Sequence, residues 1–152
     1  MSPDEVVAVT ECGPYKFFKN GDVETYKGLL DGKEQNFQFF FTDRKLRRIG
    51  IYLYEGQNLD AGANAWLDLH GVLSKLFGSI ETPGNIRPGS EESQRSSFKA
   101  TAAEVVRGVG KAQMAPLDQP ADAAVFSSFQ RRQMDDGTYY YVTLYFDARP
   151  AP

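Results

Sequence analysis

Alternation of apolar and polar side chains marks a half-buried strand, and it is clearest between residues 46 and 54. There Ile49, Ile51 and Leu53 share one face, and Arg48, Gly50, Tyr52 and Tyr54 share the other. Upstream, the run from Asn36 to Thr42 puts Phe37, Phe39 and Phe41 on one face and Phe40 on the other. Residues 23–30 read as extended. Asn20-Gly21, Asp31-Gly32 and the polar stretch Thr42-Asp43-Arg44-Lys45 supply turns between these runs. Near the end, residues 124–134 and 138–147 flank Asp135-Asp136-Gly137, a strong hairpin signal. In the last run Tyr140, Val142, Leu144 and Phe146 alternate with Tyr139, Tyr141, Thr143 and Tyr145.

Helical spacing governs the middle of the chain. Trp66, Leu69, Leu73, Leu76 and Phe77 form one apolar stripe on a helix predicted over 61–77, with Asn58 or Asp60 as its cap and Gly78 as its stop. Ser2-Pro3-Asp4-Glu5 carries the signature of a helix start, with Ser2 and Glu5 three apart and Pro3 at the first helical position. That helix is predicted to run to about residue 12, against the strand preference of Val6, Val7, Val9 and Thr10. Residues 79–99 are polar and read as an exposed loop. Thr101 to Glu104 suggests a second capping box before a short helix ending near Gly108 or Gly110. Residues 148–152 read as a frayed tail. The expected fold is α+β: an antiparallel sheet of about five strands with helices packed on one face, in the order α-β-β-β-α-(α)-β-β. The expected organisation is one domain over residues 1–152, a length that buries roughly 70% of the unfolded surface without staples.

Charge and chemistry remove several function classes. A net charge of −3 and a pI near 5.2 argue against nucleic-acid binding, which needs a surplus of Lys and Arg on one face. No run approaches the roughly 18 apolar residues of a membrane span. The single cysteine, Cys12, cannot close an internal disulfide and reads as a small, partly buried residue. His70 is the only histidine, which rules out a histidine-rich metal site. Ser74 lies at i+4 from it, a spacing too common on helices to define a catalytic pair. Gly108-Val109-Gly110-Lys111 lacks the remaining glycines and the preceding strand of a phosphate loop. Neither a catalytic set nor a cofactor site is expected. The basic clusters Arg44, Lys45, Arg47, Arg48 and Arg131, Arg132 suit a soluble strand edge, or contact with an acidic partner or lipid head groups.

The tyrosines carry the strongest functional suggestion. Tyr52, Tyr54, Tyr139, Tyr141 and Tyr145 alternate with the apolar positions of their runs, so one sheet would gather them on a second, aromatic face. Tyrosine joins a large contact area to a polar tip and is enriched at interfaces. The first reading is therefore a non-enzymatic protein-interaction or scaffold module that uses an aromatic sheet face or edge to bind another protein. The alternative is a small-ligand binder or hydrolase with a helix–sheet pocket near Trp66, His70 and Cys12.

Two segments carry a family resemblance. Met1-Ser2-Pro3-Asp4-Glu5-Val6 resembles the helix start of small bacterial extracytoplasmic modules, among them SmpA/OmlA-type outer-membrane-assembly lipoproteins and β-lactamase-inhibitor-like domains. The segment from Phe39 through Thr42, Asp43, Arg44, Lys45 and Leu46 to Ile49 is similar to their aromatic strand, turn and Lys-Leu strand. Glu11-Cys12-Gly13-Pro14 departs from the family's Leu-Gly-x-Pro, and the similarity covers about a third of the chain. The resemblance implies a protein-binding role in the bacterial envelope. The expected location is periplasmic or lipid-anchored after leader removal, with the cytoplasm as the alternative.

Overall fold

The computed structural model describes residues 1–84, 86 and 89–150. The chain is α+β and carries one antiparallel sheet. Its strands are β1 (Lys16–Phe17), β2 (Val23–Leu30), β3 (Lys33–Thr42), β4 (Lys45–Gly56), β5 (Ile80–Glu81), β6 (Lys111–Pro116), β7 (Ala123–Met134) and β8 (Gly137–Ala148). They lie in the order β1-β2-β3-β4-β8-β7-β6-β5. The sheet thus has eight strands among the described residues, not about five. Two of the extra strands, β1 and β5, are only two residues long and leave no periodic trace. The third, β6, is a Lys-Ala-Gln-Met-Ala-Pro run whose alternation is muted by small side chains.

Contacts gather the chain into two compact units. The first comprises Met1–Tyr52, Pro120–Val125 and the stretch from Leu144; the second comprises Leu53–Gln119 and Phe126–Thr143. In the first, α1 (Pro3–Val7) begins with the capping box read from the sequence. The Glu5 amide donates to the Ser2 hydroxyl at 3.3 Å, and the Ser2 amide donates to the Glu5 carboxylate at 2.6 Å. That bond with the Ser2 backbone holds the Glu5 carboxyl below its ordinary value. The helix stops after five residues and is followed by a 3-10 turn over Thr10–Cys12, so the expected continuous helix to residue 12 is broken. The β-branched residues Val6, Val7, Val9 and Thr10 lie where it fails. Two-residue turns join β2 to β3 and β3 to β4. Asp31 and Gly32, then Asp43 and Arg44, all have positive φ, the geometry that matches strand twist in a tight hairpin.

The second unit is built on α2 (Leu59–Phe77), capped by the Asn58 side chain accepting from the Ala61 amide at 2.9 Å. Trp66, Leu69 and Leu73 are fully buried as the stripe requires, but Leu76 is 50% exposed, so the stripe ends a turn early. The Trp66 ring meets Phe98 edge-on with centroids at 5.2 Å and tilts against Phe129 at 5.7 Å. Its N–H donates to the Ser127 hydroxyl of β7 at 3.1 Å, which satisfies the one polar atom of a buried indole. Phe129 stacks on Tyr140 in turn.

Within the region expected as loop, 79–99, the chain forms β5 and most of α3 (Glu91–Glu104); residues 85, 87 and 88 of that stretch lie outside the described residues. Ser90 caps α3, and Glu91 and Glu92 sit at its positive end. Only Phe98, Thr101 and Ala102 are buried on it, too sparse a stripe to show as periodicity. The expected second capping box is not formed. Thr101 lies inside α3 and its hydroxyl donates to the Ser97 carbonyl at 2.9 Å, the usual bond of a threonine within a helix. A π-helical turn over Val105–Val109 follows, closed by Gly110 in the left-handed region and by the Arg131 guanidinium donating to the Val106 carbonyl. At the C-terminus β8 reaches Ala148, and the Arg149 amide donates to the Asp122 carbonyl at 3.2 Å, so the tail is tied down further than expected; residues 151 and 152 lie outside the described residues.

Trp66→Ala is expected to lower stability by about 3–5 kcal/mol, measured by urea unfolding, because it empties the centre of the second unit. A loss below about 1 kcal/mol would show that Phe98 and Phe129 collapse into the space.

Candidate functional site

The register of β2, β3 and β4 divides the side chains of the first unit between two faces. Val23 pairs with Phe39 and Phe39 with Ile49; one step along, Glu24 pairs with Gln38 and Gln38 with Gly50. Thr25 belongs to the Val23 face, and its hydroxyl donates to the Cys12 carbonyl, so the 3-10 turn lies against that side. The opposite face carries Glu24, Asn36, Gln38, Phe40, Arg48, Gly50 and Tyr52.

Three aromatic rings converge on this second face around Gly50. A Cβ on Gly50 would stand 3.2 Å from both Phe40 and Tyr145 and 3.4 Å from Tyr52. Glycine leaves the notch that lets the rings approach. Arg48, opposite Phe40 in the register, lays its guanidinium over the Tyr145 ring, 4.5 Å from the centroid. It also grips Asp147 with two bonds of 2.5 and 2.7 Å. The bond to Asp147 raises the Arg48 pKa further, so this cation stays charged at any accessible pH. Glu24 is only 6% exposed and accepts from the Gln38 amide at 2.8 Å. The floor is aromatic, and most of its polar groups are already paired.

The five tyrosines singled out in the sequence divide between the two units. Tyr52 and Tyr145 belong to the first unit and lie at the Gly50 notch, where Tyr145 is buried to 8% exposure. Tyr54, Tyr139 and Tyr141 belong to the second unit. The Tyr54 ring lies against Gly62 of α2, and its hydroxyl bonds the Asn58 backbone at 3.0 Å, so it anchors the start of that helix. Tyr139 donates to the Asp136 carboxylate at 2.6 Å, which raises its pKa. Tyr141, its pKa raised by burial first and Glu55 second, donates to Glu55 at 3.5 Å beneath the Arg132 guanidinium. Phe40, Gln38 and Glu24 went unnoticed as site residues, although Phe40 shows in the sequence as the one phenylalanine out of phase with its neighbours.

The residues of the alternative pocket reading are placed differently. Trp66 has no exposed surface. His70 packs its ring on Phe98 with centroids at 5.5 Å, and burial pushes its pKa down. Ser74 donates to the His70 carbonyl at 2.8 Å, not to the imidazole. Cys12 is half-buried and belongs to the first unit, whereas Trp66 and His70 belong to the second. Among the described residues there is no group of three or more His, Cys, Asp or Glu placed to hold a metal, and no helix long and apolar enough to cross a membrane. Comparison with protein-family models, curated proteins and solved structures finds no match to this chain.

Gly50→Ala is expected to cost about 1–3 kcal/mol in urea unfolding, since the three rings must separate; a change within about 0.5 kcal/mol would show that the notch is slack. His70 has a folded pKa below the ordinary 6.5. The unfolded chain therefore binds its proton more readily, and the stability it supports above pH 6.5 is lost as pH falls through the folded value. Imidazole NMR titration is expected to give a pKa below 6.5, and His70→Gln to flatten stability just below that pH. A titration at or above 6.5 contradicts the burial of this ring.

Proposed function

We propose that this chain is a non-enzymatic protein-binding module that engages its partner through the aromatic face of the first unit. The observation that carries this reading is the convergence of Phe40, Tyr52 and Tyr145 on Gly50, on the side away from the 3-10 turn. Aromatic rings flanked by an arginine are the composition of interface centres. The sheet edges favour a face over strand addition. β1 covers only Val23 and Glu24, a bulge interrupts β2 between Thr25 and Gly28, and β5 blocks Ala115 and Pro116 at the other end. Short terminal strands and bulges discourage another strand from adding.

The envelope setting belongs to the same proposal. Its support is that both segments carrying the resemblance to extracytoplasmic modules take the expected local form, a capped helix start at Ser2 and a β3–β4 hairpin. The helix–sheet pocket has weaker support, because Trp66 is sealed in the core of the second unit.

Crosslinked partner recovery from the source cell is expected to drop at least tenfold for Phe40→Ser/Tyr52→Ser, assayed at a temperature where circular dichroism shows the variant folded, and to persist for Tyr139→Ser/Tyr141→Ser. Equal recovery by the first variant overturns the assignment to this face.

A further inference from the structure

The aromatic face ends at an open cavity of about 500 Å³ lined by Phe18, Lys19, Asn20, Asp22, Gln38 and Phe40. This volume lies within the range of small-molecule sites, roughly 300–1,000 Å³. Phe18 follows β1 and its amide donates to the Asp22 carbonyl at 2.9 Å, which brings its ring to the same side as Phe40. Two phenyl rings therefore supply the apolar part of the lining.

The polar groups of the rim are unequal. Asp22 is spent internally: one carboxylate oxygen accepts from the Phe41 amide at 2.9 Å and the other from the Asn20 side chain at 2.8 Å. The Asn20 carbonyl oxygen accepts from the Asp22 amide at 3.1 Å. The Gln38 amide donates to Glu24. Lys19 is exposed and makes no ion pair within the described residues. Lys16 adds a second ammonium, 5.1 Å from the centre of the Phe18 ring. The cavity thus offers an apolar floor and a charged rim, where the Asp22 carboxylate is turned to the Phe41 amide and the Asn20 side chain and is outnumbered by two ammoniums, Lys19 in the lining and Lys16 beside Phe18.

We propose that this cavity is a binding site for a small aromatic anion, with the ring between Phe18 and Phe40 and the carboxylate on the Lys19 ammonium. The site shares Phe40 and Gln38 with the aromatic face but adds Phe18 and Lys19, and it does not require the protein partner proposed above. It is an apolar pocket with one ammonium in its lining that makes no ion pair among the described residues, an arrangement that fixes orientation in small-ligand sites.

The test uses 4-phenylbutyrate and its neutral counterpart 4-phenylbutanol, titrated into the whole chain and followed by amide NMR shifts. Saturable shifts are expected at residues 18–22, 38 and 40, with the acid bound at least threefold more tightly than the alcohol. Lys19→Gln is expected to erase that preference and leave the alcohol unaffected. Phe18→Ser, at an exposed ring that leaves the fold intact, is expected to weaken both ligands at least fivefold. Equal affinities of acid and alcohol for the unaltered chain, shifts centred elsewhere, or no saturable shift at millimolar ligand would overturn the proposal.

Discussion

Antiparallel pairing of β2, β3 and β4 assigns the side chains of these three strands to one face or the other. With Val23, Phe39 and Ile49 in one row and Glu24, Gln38 and Gly50 in the next, one face meets the 3-10 turn and the other bears the aromatic notch. A slip of one residue would exchange the two faces. The register is held by tight turns at Asp31-Gly32 and Asp43-Arg44. It is also held by packing, since Phe37 lies so close over Gly28 that no Cβ fits there. A bulge between Phe40 and Phe41 and another between Thr25 and Gly28 bend the strands without losing the pairing.

The same register explains how polar groups survive among aromatic rings. Glu24 meets Gln38 because the two are cross-strand partners, and Arg48 stands opposite Phe40 while reaching Tyr145 and Asp147. Charges placed on a half-buried face are tolerated when paired and hydrogen-bonded. What is left over is informative: at the Phe18–Phe40 cavity the Asp22 carboxylate is hydrogen-bonded within the chain and the Lys19 ammonium makes no ion pair among the described residues. The second unit follows a different rule. Its tyrosines are engaged by Asn58, Asp136 and Glu55, and its centre is the Trp66–Ser127 bond surrounded by Phe98 and Phe129.

The local rules were legible in the sequence wherever a signal was strong and short in range. The capping box at Ser2, the turns at Asp31-Gly32 and Asp135-Asp136-Gly137, the alternation from Arg48 to Tyr52 and the Trp66–Leu73 stripe all form as read. Weak signals failed for identifiable reasons. The first helix is interrupted where β-branched residues accumulate, and α3 buries too few side chains to announce itself. β1 and β5 are too short to show a period.

The sequence by itself determined which residues can share a face, because backbone alternation is a local property of each strand. It could not determine which strands lie side by side. Tyr52 and Tyr54 are two residues apart and look equivalent, yet one lies beside the Gly50 notch and the other is taken by α2. Arg48 and Asp147 are 99 residues apart in the chain and meet only because the sheet is folded. The tertiary structure made those choices, since packing and ion pairing depend on distance in space, which one-dimensional periodicity does not encode.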